Sequence, residues 1–296
     1  MTQHHYRPRR SVLYMPSSNE RALEKAKSIA CDGIIFDLED AVAPDAKVQS
    51  RGKAAAAVAD PAYGKRERIL RVNGMDTQWH DDDMRAASEA APDAILVPKV
   101  SSAEEVQRLV AAMDRYGAPA QTLLWAMVET PVAMLHCEEI AKASDRLDCL
   151  VMGTNDLAKE LFAEHVPGRG PLLTGLGLCL LAARAAGISI IDGVYNNVKD
   201  AEGFEAECQQ GRQMGFDGKT LIHPGQVDPC NAAFAPSEAA VEEARAILVA
   251  WDEALAQGRG VATVNGRMIE NLHVETAKRN LQMHEAIRAL EAEAGG

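Results

Sequence analysis

The feature of this sequence that most constrains its fold is the alternation of short apolar runs with longer segments of helical period. Each run is rich in aliphatic and β-branched side chains and has the length of a buried strand. Eight such runs span residues 11–15, 33–37, 68–72, 94–97, 123–128, 149–152, 188–191 and 218–222. Parallel strands joined by crossover helices produce this pattern, which therefore predicts an α/β fold.

The segments between these runs carry apolar residues at helical spacing. The clearest predicted helices span residues 20–30, 47–59, 103–116, 132–142, 172–186 and 201–214. An open, doubly wound parallel sheet would show the same alternation. Because strand and helix repeat eight times, the pattern favours a closed (β/α)8 barrel, the TIM-barrel architecture.

The end of the chain departs from this alternation. A (β/α)8 barrel takes about 250 residues, and the chain has 296. We therefore expect residues 1–235 to form the barrel core and residues 236–296 to form a C-terminal helical extension. Within the extension, a helix over residues 236–256 precedes a break at Gly258 and Gly260, and a second helix begins near residue 275. The extension either packs as a helix pair or covers an active site as a lid.

Composition and charge exclude several classes of function. The formal net charge of −12 disfavours nucleic acid or an anionic membrane as the main partner, because both favour basic surfaces. No apolar run approaches the roughly 18 residues that a membrane-spanning helix needs. The six cysteines include no C-x-x-C pair, so we expect reduced thiols in a cytoplasmic protein.

Common catalytic and nucleotide-binding motifs are absent from the sequence. Gly175 and Gly177 lack the third glycine of a dinucleotide-binding loop. The chain has neither a G-x-S-x-G nucleophile elbow nor an H-E-x-x-H zinc motif. The chemistry is therefore expected among the residues that follow the strands, where barrel enzymes place their active sites.

Carboxylates follow four of the predicted strands, at Asp37 to Asp40, Glu129, Asp156 and Asp192. In a barrel these side chains would point toward one shared mouth, where crowded negative charge is costly unless a cation is present. Mg²⁺ suits such a place, because it takes one or two protein carboxylates and keeps several waters. We therefore predict a Mg²⁺ site, with Mn²⁺ as the alternative hard cation.

Acidic residues after strands can also be plain N-caps of the helices that follow. This alternative stays open for Asp192. It is weaker for Glu129, because Thr130 stands just before Pro131 and is the better cap. Glu129 is thereby left free to bind a metal ion.

Among the basic residues of the predicted mouth, Arg71 is the best single candidate for a functional cation. It ends an apolar strand, where an unpaired guanidinium would be costly, so it needs an anionic partner. A substrate carboxylate or a developing enolate oxygen would suit its planar set of donors. In a purely structural arrangement the partner is Asp37 or Glu39, and both arrangements can hold at once.

Seven short motifs give the sequence a resemblance to a known family. They are RSVLYMP at 10–16, IFDLEDAV at 35–42, RVN at 71–73, VPKV at 97–100, VETP at 128–131, GTNDL at 153–157 and GFDGKTLIHP at 215–224. In this order and spacing, the chain resembles the citrate lyase β-subunit-like CoA-ester lyases of the HpcH/HpaI aldolase superfamily. That family includes malyl-CoA and citramalyl-CoA lyases, and the resemblance covers nearly the whole chain.

The resemblance carries expectations about the metal and the reacting group. It implies a (β/α)8 barrel that binds Mg²⁺ through Glu129 and Asp156. It also implies that Arg71 contacts the reacting carbonyl or carboxylate. Relatives form trimers or dimers of trimers, so the resemblance implies a homo-oligomer.

Further residues are assigned by the resemblance alone. It implies that Tyr14, Arg21 and Lys25 bind coenzyme A, whose phosphates suit the two cations, although Lys25 could equally be a solvated helix charge. In relatives the C-terminal segment covers a neighbouring subunit's active site and often carries a catalytic aspartate. Residues 266–270 here read GRMIE. Glu270 therefore stands where many relatives have aspartate.

Together these expectations describe a Mg²⁺-dependent lyase. It would cleave malyl-, methylmalyl- or citramalyl-CoA to acetyl- or propionyl-CoA and a 2-oxo acid. A malyl-CoA thioesterase, a citrate lyase β subunit acting on an acyl carrier protein, and an inactive CoA-binding regulator are the alternatives. The predicted site residues are Arg71, Glu270 and Asp37 as catalytic groups, Arg71, Tyr14, Arg21, Lys25 and Glu129 as substrate ligands, and Glu129 and Asp156 as metal ligands.

Overall fold

Eight parallel strands close into a barrel in the structure of the protein, a computed structural model that describes residues 7–294. The strands are β1 (Ser11–Pro16), β2 (Gly33–Asp37), β3 (Glu67–Arg71), β4 (Ala94–Val97), β5 (Leu123–Val128), β6 (Leu147–Met152), β7 (Ser189–Asp192) and β8 (Gly218–Leu221). β1 pairs in parallel with β8, where Val12 lies opposite Thr220. This pairing closes the sheet, so the predicted TIM barrel is confirmed and the open-sheet alternative is wrong.

Helices follow the strands around the barrel. They are α1 (Glu20–Ala26), α2 (Lys47–Ala59), α3 (His80–Ala90), α4 (Ala103–Arg115), α5 (Pro131–Leu135), α6 (Cys137–Ala141), α7 (Thr154–Glu160), α8 (Leu173–Ala186), α9 (Ala201–Met214) and α10 (Val227–Phe234). Two more helices lie beyond the barrel, α11 (Glu238–Ala256) and α12 (Asn271–Ala294). Within residues 7–294, no helix has the length and apolarity that crossing a membrane requires.

Several predicted elements differ from those observed. The predicted helix over residues 132–142 is two short helices, α5 and α6, that meet at His136. Helix α3 was missed because its sequence is mostly polar and acidic, and only a few residues such as Met84 and Ala87 are buried. The final helix begins at Asn271, earlier than predicted.

A hairpin was also missed in the C-terminal extension. It pairs β9 (Ala262–Val264) with β10 (Arg267–Ile269) in antiparallel fashion. Asn265 and Gly266 form its turn, and both have positive φ, +50° and +76°. An Asn-Gly pair is a strong signal for a tight hairpin turn, so the sequence did contain the evidence for this element.

The two faces of the barrel wall differ in what they contact. Successive side chains of a strand point alternately to the inside and the outside. The inner face fills the barrel with an apolar cluster that includes Ile35, Ile69, Trp125, Val151 and Ile191. Residues between these positions pack against the helices. The next inner position along each strand lies at the C-terminal mouth of the barrel.

The chain divides into two compact units. The first, Arg9–Phe234, is the barrel with its helices. The second contains the chain from Ala235 onward, where α11, α12 and the hairpin pack on one another. Its small core includes Ile247, Ile269 and Val274. The lid role of this extension stays a prediction.

Candidate active site

Inner positions at the C-terminal mouth of the barrel carry polar residues. Asp37 and Arg71 lie two residues beyond the apolar inner residues Ile35 and Ile69 on β2 and β3. Tyr14 on β1 packs against the same inner cluster. Strand alternation therefore brings these three side chains together at one edge of the barrel.

Arg71 is held by acidic partners on two sides. Its Nε and Nη2 donate to the two carboxylate oxygens of Asp37 at 2.7 and 2.6 Å. Its Nη1 lies 2.8 Å from Glu39 Oε2, and its guanidinium carbon lies 4.6 Å from the centre of the Tyr14 ring. The structural pairing predicted for Arg71 is thus present, and it fixes the plane of the guanidinium.

Asp37 serves mainly as the anchor of Arg71. It is fully buried, and it also accepts backbone hydrogen bonds from Glu39 and Ala41 at 2.8 and 3.0 Å. Burial raises the pKa of Asp37, but the Arg71 charge and these hydrogen bonds outweigh it and hold the pKa below its usual range. Few lone pairs are left for a substrate, and the catalytic role of Asp37 stays a prediction.

Glu39 is less well accommodated than Asp37. Burial and the nearby charges of Asp40 and Asp37 outweigh the opposing effect of Arg71 and raise its pKa to about 7. The carboxylate therefore shares Arg71 with Asp37 but remains under electrostatic strain. The sequence places Glu39 among the carboxylates after the second strand and also offers it as a partner of Arg71, and the structure shows that pairing.

Glu129 lies across the mouth, two residues beyond the inner residue Met127. It is almost fully buried, and its Oε1 accepts a hydrogen bond from the Lys99 backbone N–H at 2.9 Å. Thr130 caps helix α5 as predicted, since its side chain accepts from the Ala133 N–H. A Cβ at Gly153 would overlap the Glu129 carboxylate. The glycine after β6 therefore makes room for this side chain.

The charge on Glu129 is poorly compensated. Burial, together with the negative charges of Asp156 and Glu39, raises its pKa to about 8. Within residues 7–294, neither Glu129 nor Asp156 forms an ion pair with a basic side chain. Two partly buried acids in this state fit a divalent cation, which would remove their mutual repulsion.

The chemistry of the donor set fits Mg²⁺. Across residues 7–294, no group of three or more His, Cys, Asp and Glu side chains is arranged to hold a metal ion. Mg²⁺ does not need such a group, because it keeps waters and takes ligands from the substrate. Glu129 and Asp156, in the first turn of α7, are the residues that would hold it. The predicted metal-ligand role stays a proposal.

Lys99 is a mouth residue to which no role was assigned from the sequence. It follows β4 with a left-handed backbone, φ +56°. Burial lowers the pKa of its ammonium, but Asp156, Glu129 and Glu39 outweigh burial and raise it. In the sequence, the position of Lys99 directly after the fourth strand indicates that it lies at the mouth, but its motif VPKV does not indicate a role for the side chain.

Asp192 does not point into the mouth, and that prediction is wrong. Ile191 belongs to the inner apolar cluster, so the next residue on β7 faces outward. There both carboxylate oxygens of Asp192 accept from Arg169 Nη1 at 2.7 and 2.8 Å, and Lys219 Nζ lies 3.2 Å away. Asp192 is therefore part of a buried ion cluster between strand and helices.

The remaining predicted residues lie on exposed surfaces. Arg21 and Lys25 are exposed and lie one turn apart on α1, so they share a helix face next to β1. Glu270 belongs to the second compact unit, where it is exposed and its backbone N–H donates to His273 Nδ1 at 3.0 Å. The structure thus brings together Tyr14, Asp37, Arg71, Glu129 and Asp156. The role of Glu270 stays a prediction.

Family models match most of the chain. The model described as HpcH/HpaI aldolase/citrate lyase matches residues 10–224. A second, described as a C–C bond lyase of the TIM-barrel fold, matches residues 176–285. The first match contains all the mouth residues described above.

Curated proteins and solved structures agree with these matches. A (3S)-malyl-CoA thioesterase of Cereibacter sphaeroides is 53% identical over 289 residues, 98% of this chain and 99% of that protein. The citrate lyase β subunit of Leuconostoc mesenteroides is 34% identical over 292 residues, 97% of each chain. The structure of CitE from Mycobacterium tuberculosis with magnesium, acetoacetate and coenzyme A has a TM-score of 0.74 and 29% identity, covering 93% of this chain and 97% of that one.

The closed barrel and the polar residues at its mouth occur in a chain that matches these proteins over nearly its full length. The chain belongs to the HpcH/HpaI aldolase/citrate lyase family and is an enzyme of the carbon–carbon lyase class.

Proposed function

We propose that this enzyme is a Mg²⁺-dependent lyase that cleaves a 3-hydroxyacyl-CoA of the malyl-CoA type. The observation that carries the proposal is the pair Glu129 and Asp156, neither of which forms an ion pair with a basic side chain within residues 7–294, although Lys99 lies near both. The names of the relatives support the substrate class, since one group acts on (3S)-malyl-CoA. The CitE structure was determined with both magnesium and coenzyme A.

The two sides of the mouth have different proposed roles, metal binding at Glu129 and Asp156 and charge stabilisation at Arg71. Bound Mg²⁺ supplies Lewis-acid polarisation for the hydroxy-acid end of the substrate. Glu129 and Asp156 would hold the ion, with its remaining positions left for water and the substrate. Arg71 lies on the opposite side, where its donors stabilise the negative charge that forms on the thioester oxygen as the carbon–carbon bond breaks.

Arg71 suits this task because its orientation is set before the substrate binds. Asp37 and Glu39 hold three of its nitrogens, and the Tyr14 ring lies against one face of the guanidinium. A donor that is already in place does not need to reorganise as charge develops. The predicted CoA ligands Arg21 and Lys25 lie on the exposed face of α1 next to the same strands.

The C-terminal segment completes the proposal. We infer that the enzyme assembles as a trimer or hexamer and that Glu270 reaches a neighbouring subunit's mouth. There it would protonate the enolate of the departing acyl-CoA. The support is the resemblance of this segment to relatives, together with the exposure of Glu270 within its own unit.

The deciding experiment is a product assay with purified protein. Malyl-, methylmalyl-, citramalyl- and citryl-CoA are each incubated with Mg²⁺ or with EDTA, and the products are resolved by mass. We expect a Mg²⁺-dependent 2-oxo acid together with acetyl- or propionyl-CoA. Equal activity in EDTA would remove the metal from the mechanism.

Thioester hydrolysis is the second candidate, and a specific observation favours it. The (3S)-malyl-CoA thioesterase is 53% identical to this chain, whereas a citrate lyase β subunit is 34% identical. In this case Glu270 would activate a water rather than protonate an enolate. Free CoA thiol with malate would establish hydrolysis, and acetyl-CoA with glyoxylate would establish cleavage.

The citrate lyase relatives suggest a further control. If the chain served as such a β subunit, its substrate would be attached to an acyl carrier protein. Turnover of free CoA esters by the isolated chain would argue against this assignment. Turnover only of a carrier-bound citryl group would support it.

A further inference from the structure

We propose that Lys47, which lies outside the mouth, is a positioning residue that holds Glu39 and thereby Arg71 in place. The inference rests on the proposed function of Arg71 and adds the device that orients it. Lys47 is the first residue of α2 and is almost fully buried.

The position of Lys47 is unfavourable in the absence of specific partners. A cation at a helix N-terminus opposes the helix dipole, and a buried ammonium is costly unless it is hydrogen-bonded. Helix α2 has neither a side-chain cap nor an acidic residue in its first turn. Something other than helix stability must therefore account for a buried lysine here.

All three donors of the ammonium are used. Lys47 Nζ donates to the backbone carbonyls of Leu38 and Glu39 at 3.0 and 2.9 Å. It also donates to Asn73 Oδ1 at 2.7 Å and lies 5.1 Å from the centre of the Trp79 ring. Two consecutive carbonyls after β2 thus accept from one ammonium, and each has one further donor: Asn73 Nδ2 for Leu38 O at 3.0 Å and the Val42 N–H for Glu39 O at 3.0 Å.

Asn73 reinforces the same segment. Its amide nitrogen donates to Leu38 O at 3.0 Å and to Asp83 Oδ2 at 2.6 Å. Asp83 in turn accepts from Arg51 Nε at 2.7 Å, on the same helix as Lys47. The network ties α2, α3 and the loop after β3 to the backbone of residues 38 and 39.

This segment carries the second partner of Arg71. Glu39 lies 2.8 Å from Arg71 Nη1, and its raised pKa shows that its place is not favourable in itself. If Lys47 is removed, each of the two carbonyls loses its charged donor and keeps only one neutral donor, so the segment is held less tightly against Arg71. A shift of about 1 Å at a catalytic group can lower a rate by roughly 100-fold.

The test compares Lys47→Met with Lys53→Met. Lys53 is on the same helix, and within the described residues its ammonium forms an ion pair only with the exposed Glu20, at 2.9 Å. For Lys47→Met we expect kcat for malyl-CoA to fall about 30-fold with KM within about threefold, because Arg71 acts on charge that develops in the transition state. Magnesium affinity, measured by calorimetry without substrate, is expected to fall far less than kcat, since Glu129 and Asp156 follow β5 and β6 rather than β2. Lys53→Met is expected to match the wild type.

Two results would overturn the inference. One is an unchanged kcat in a folded Lys47→Met enzyme. The other is a loss of magnesium affinity as large as the loss of kcat, which would indicate general loosening of the barrel. Asn73→Ala provides a second variant if Lys47→Met does not fold; the same split between kcat and magnesium affinity supports the inference, and its absence opposes it.

A crystal structure of Lys47→Met separates this inference from the proposed function. If the wild type turns over none of the four CoA esters, the proposed function fails on its own. The structure then decides the inference. Displacement of the Glu39 carboxylate from Arg71 supports it, and an unchanged Glu39–Arg71 pair overturns it.

Discussion

The two sides of the barrel mouth differ in how completely their charges are paired. On the side formed by β1 to β3, Arg71 is surrounded by Asp37, Glu39 and the Tyr14 ring. On the opposite side, Glu129 and Asp156 form no ion pair within residues 7–294. One half thus has its charges paired within the protein, whereas the other leaves two acids without an ion-pair partner among these residues, as the proposed Mg²⁺ site requires.

This difference explains why removing a charge has opposite consequences on the two sides. Removing Arg71 leaves two buried acids without their cation, which is costly. Neutralising Glu129 relieves a repulsion that burial makes worse. The predictions below use this contrast.

The largest effect is expected for Glu129→Gln. Activity with Mg²⁺ should fall at least about 1,000-fold, because a primary metal ligand is lost. The apparent Tm in EDTA should stay equal or rise, since a buried carboxylate that resists ionisation has been made neutral. Steady-state kinetics and thermal unfolding in EDTA check both halves, with Asp156→Asn as the companion variant. A lower Tm in EDTA would contradict the picture of an uncompensated site.

Arg71→Ala should be next in its effect on activity. We expect a loss of about 3 kcal/mol of transition-state stabilisation, comparable to removal of one oxyanion donor. Unlike Glu129→Gln, it should also lower the free energy of unfolding by about 3–5 kcal/mol, because Asp37 and Glu39 remain buried without a partner. Denaturant titration in EDTA measures that change. An unchanged turnover number would show that the guanidinium is purely structural.

Gly153→Ala is expected to disturb the Glu129 side of the mouth and to leave the Arg71 side unchanged. The added methyl group would overlap the Glu129 carboxylate, so we expect magnesium affinity to fall about tenfold or more, as when metal-ligand orientation is lost. Gly177→Ala in α8 is the matched control, because nothing lies within 4 Å of its added Cβ. Calorimetry on the three proteins provides the test. Equal affinities would mean that Glu129 can move freely.

The smallest effect concerns pH. The pKa of Glu129 is raised to about 8 without metal, so the carboxyl must lose a proton before it can bind Mg²⁺. Apparent magnesium affinity should therefore rise with pH through the neutral range, by at most about tenfold per unit below pH 8, and level off above it. Glu129→Gln should lack this dependence. A flat profile in the wild type would separate Glu129 from the metal.

The barrel itself was predictable because its signals are local. Eight apolar runs of strand length, separated by helical segments, favour a closed (β/α)8 sheet over an open one, and the pairing of β1 with β8 shows the closure. The strand ends also identified Arg71, Glu129 and Asp156 as candidate residues of the mouth, since barrel enzymes place their active sites where strands end and the following loops begin. Helix α3 was missed because its few buried residues leave almost no apolar period.

The direction of a side chain at a strand end was less predictable. Asp192 and Asp37 look alike in the sequence, as acids that close apolar strands. Asp37 falls on the inner face and Asp192 on the outer face, where Arg169 and Lys219 neutralise it. A shift of one residue in register exchanges the two faces, and the sequence does not state the register.

What the sequence determined by itself is therefore the order of strands and helices and the residue types at each strand end, because short-range periodicity encodes both. The pairing of Lys47 with the carbonyls of residues 38 and 39, and the space that Gly153 leaves for Glu129, were decided only by the tertiary structure. These contacts join residues that are separated in the sequence, and a lysine or a glycine at such a position does not by its type indicate which residue it contacts. Their energies depend on burial and distance, which exist only once the barrel has closed.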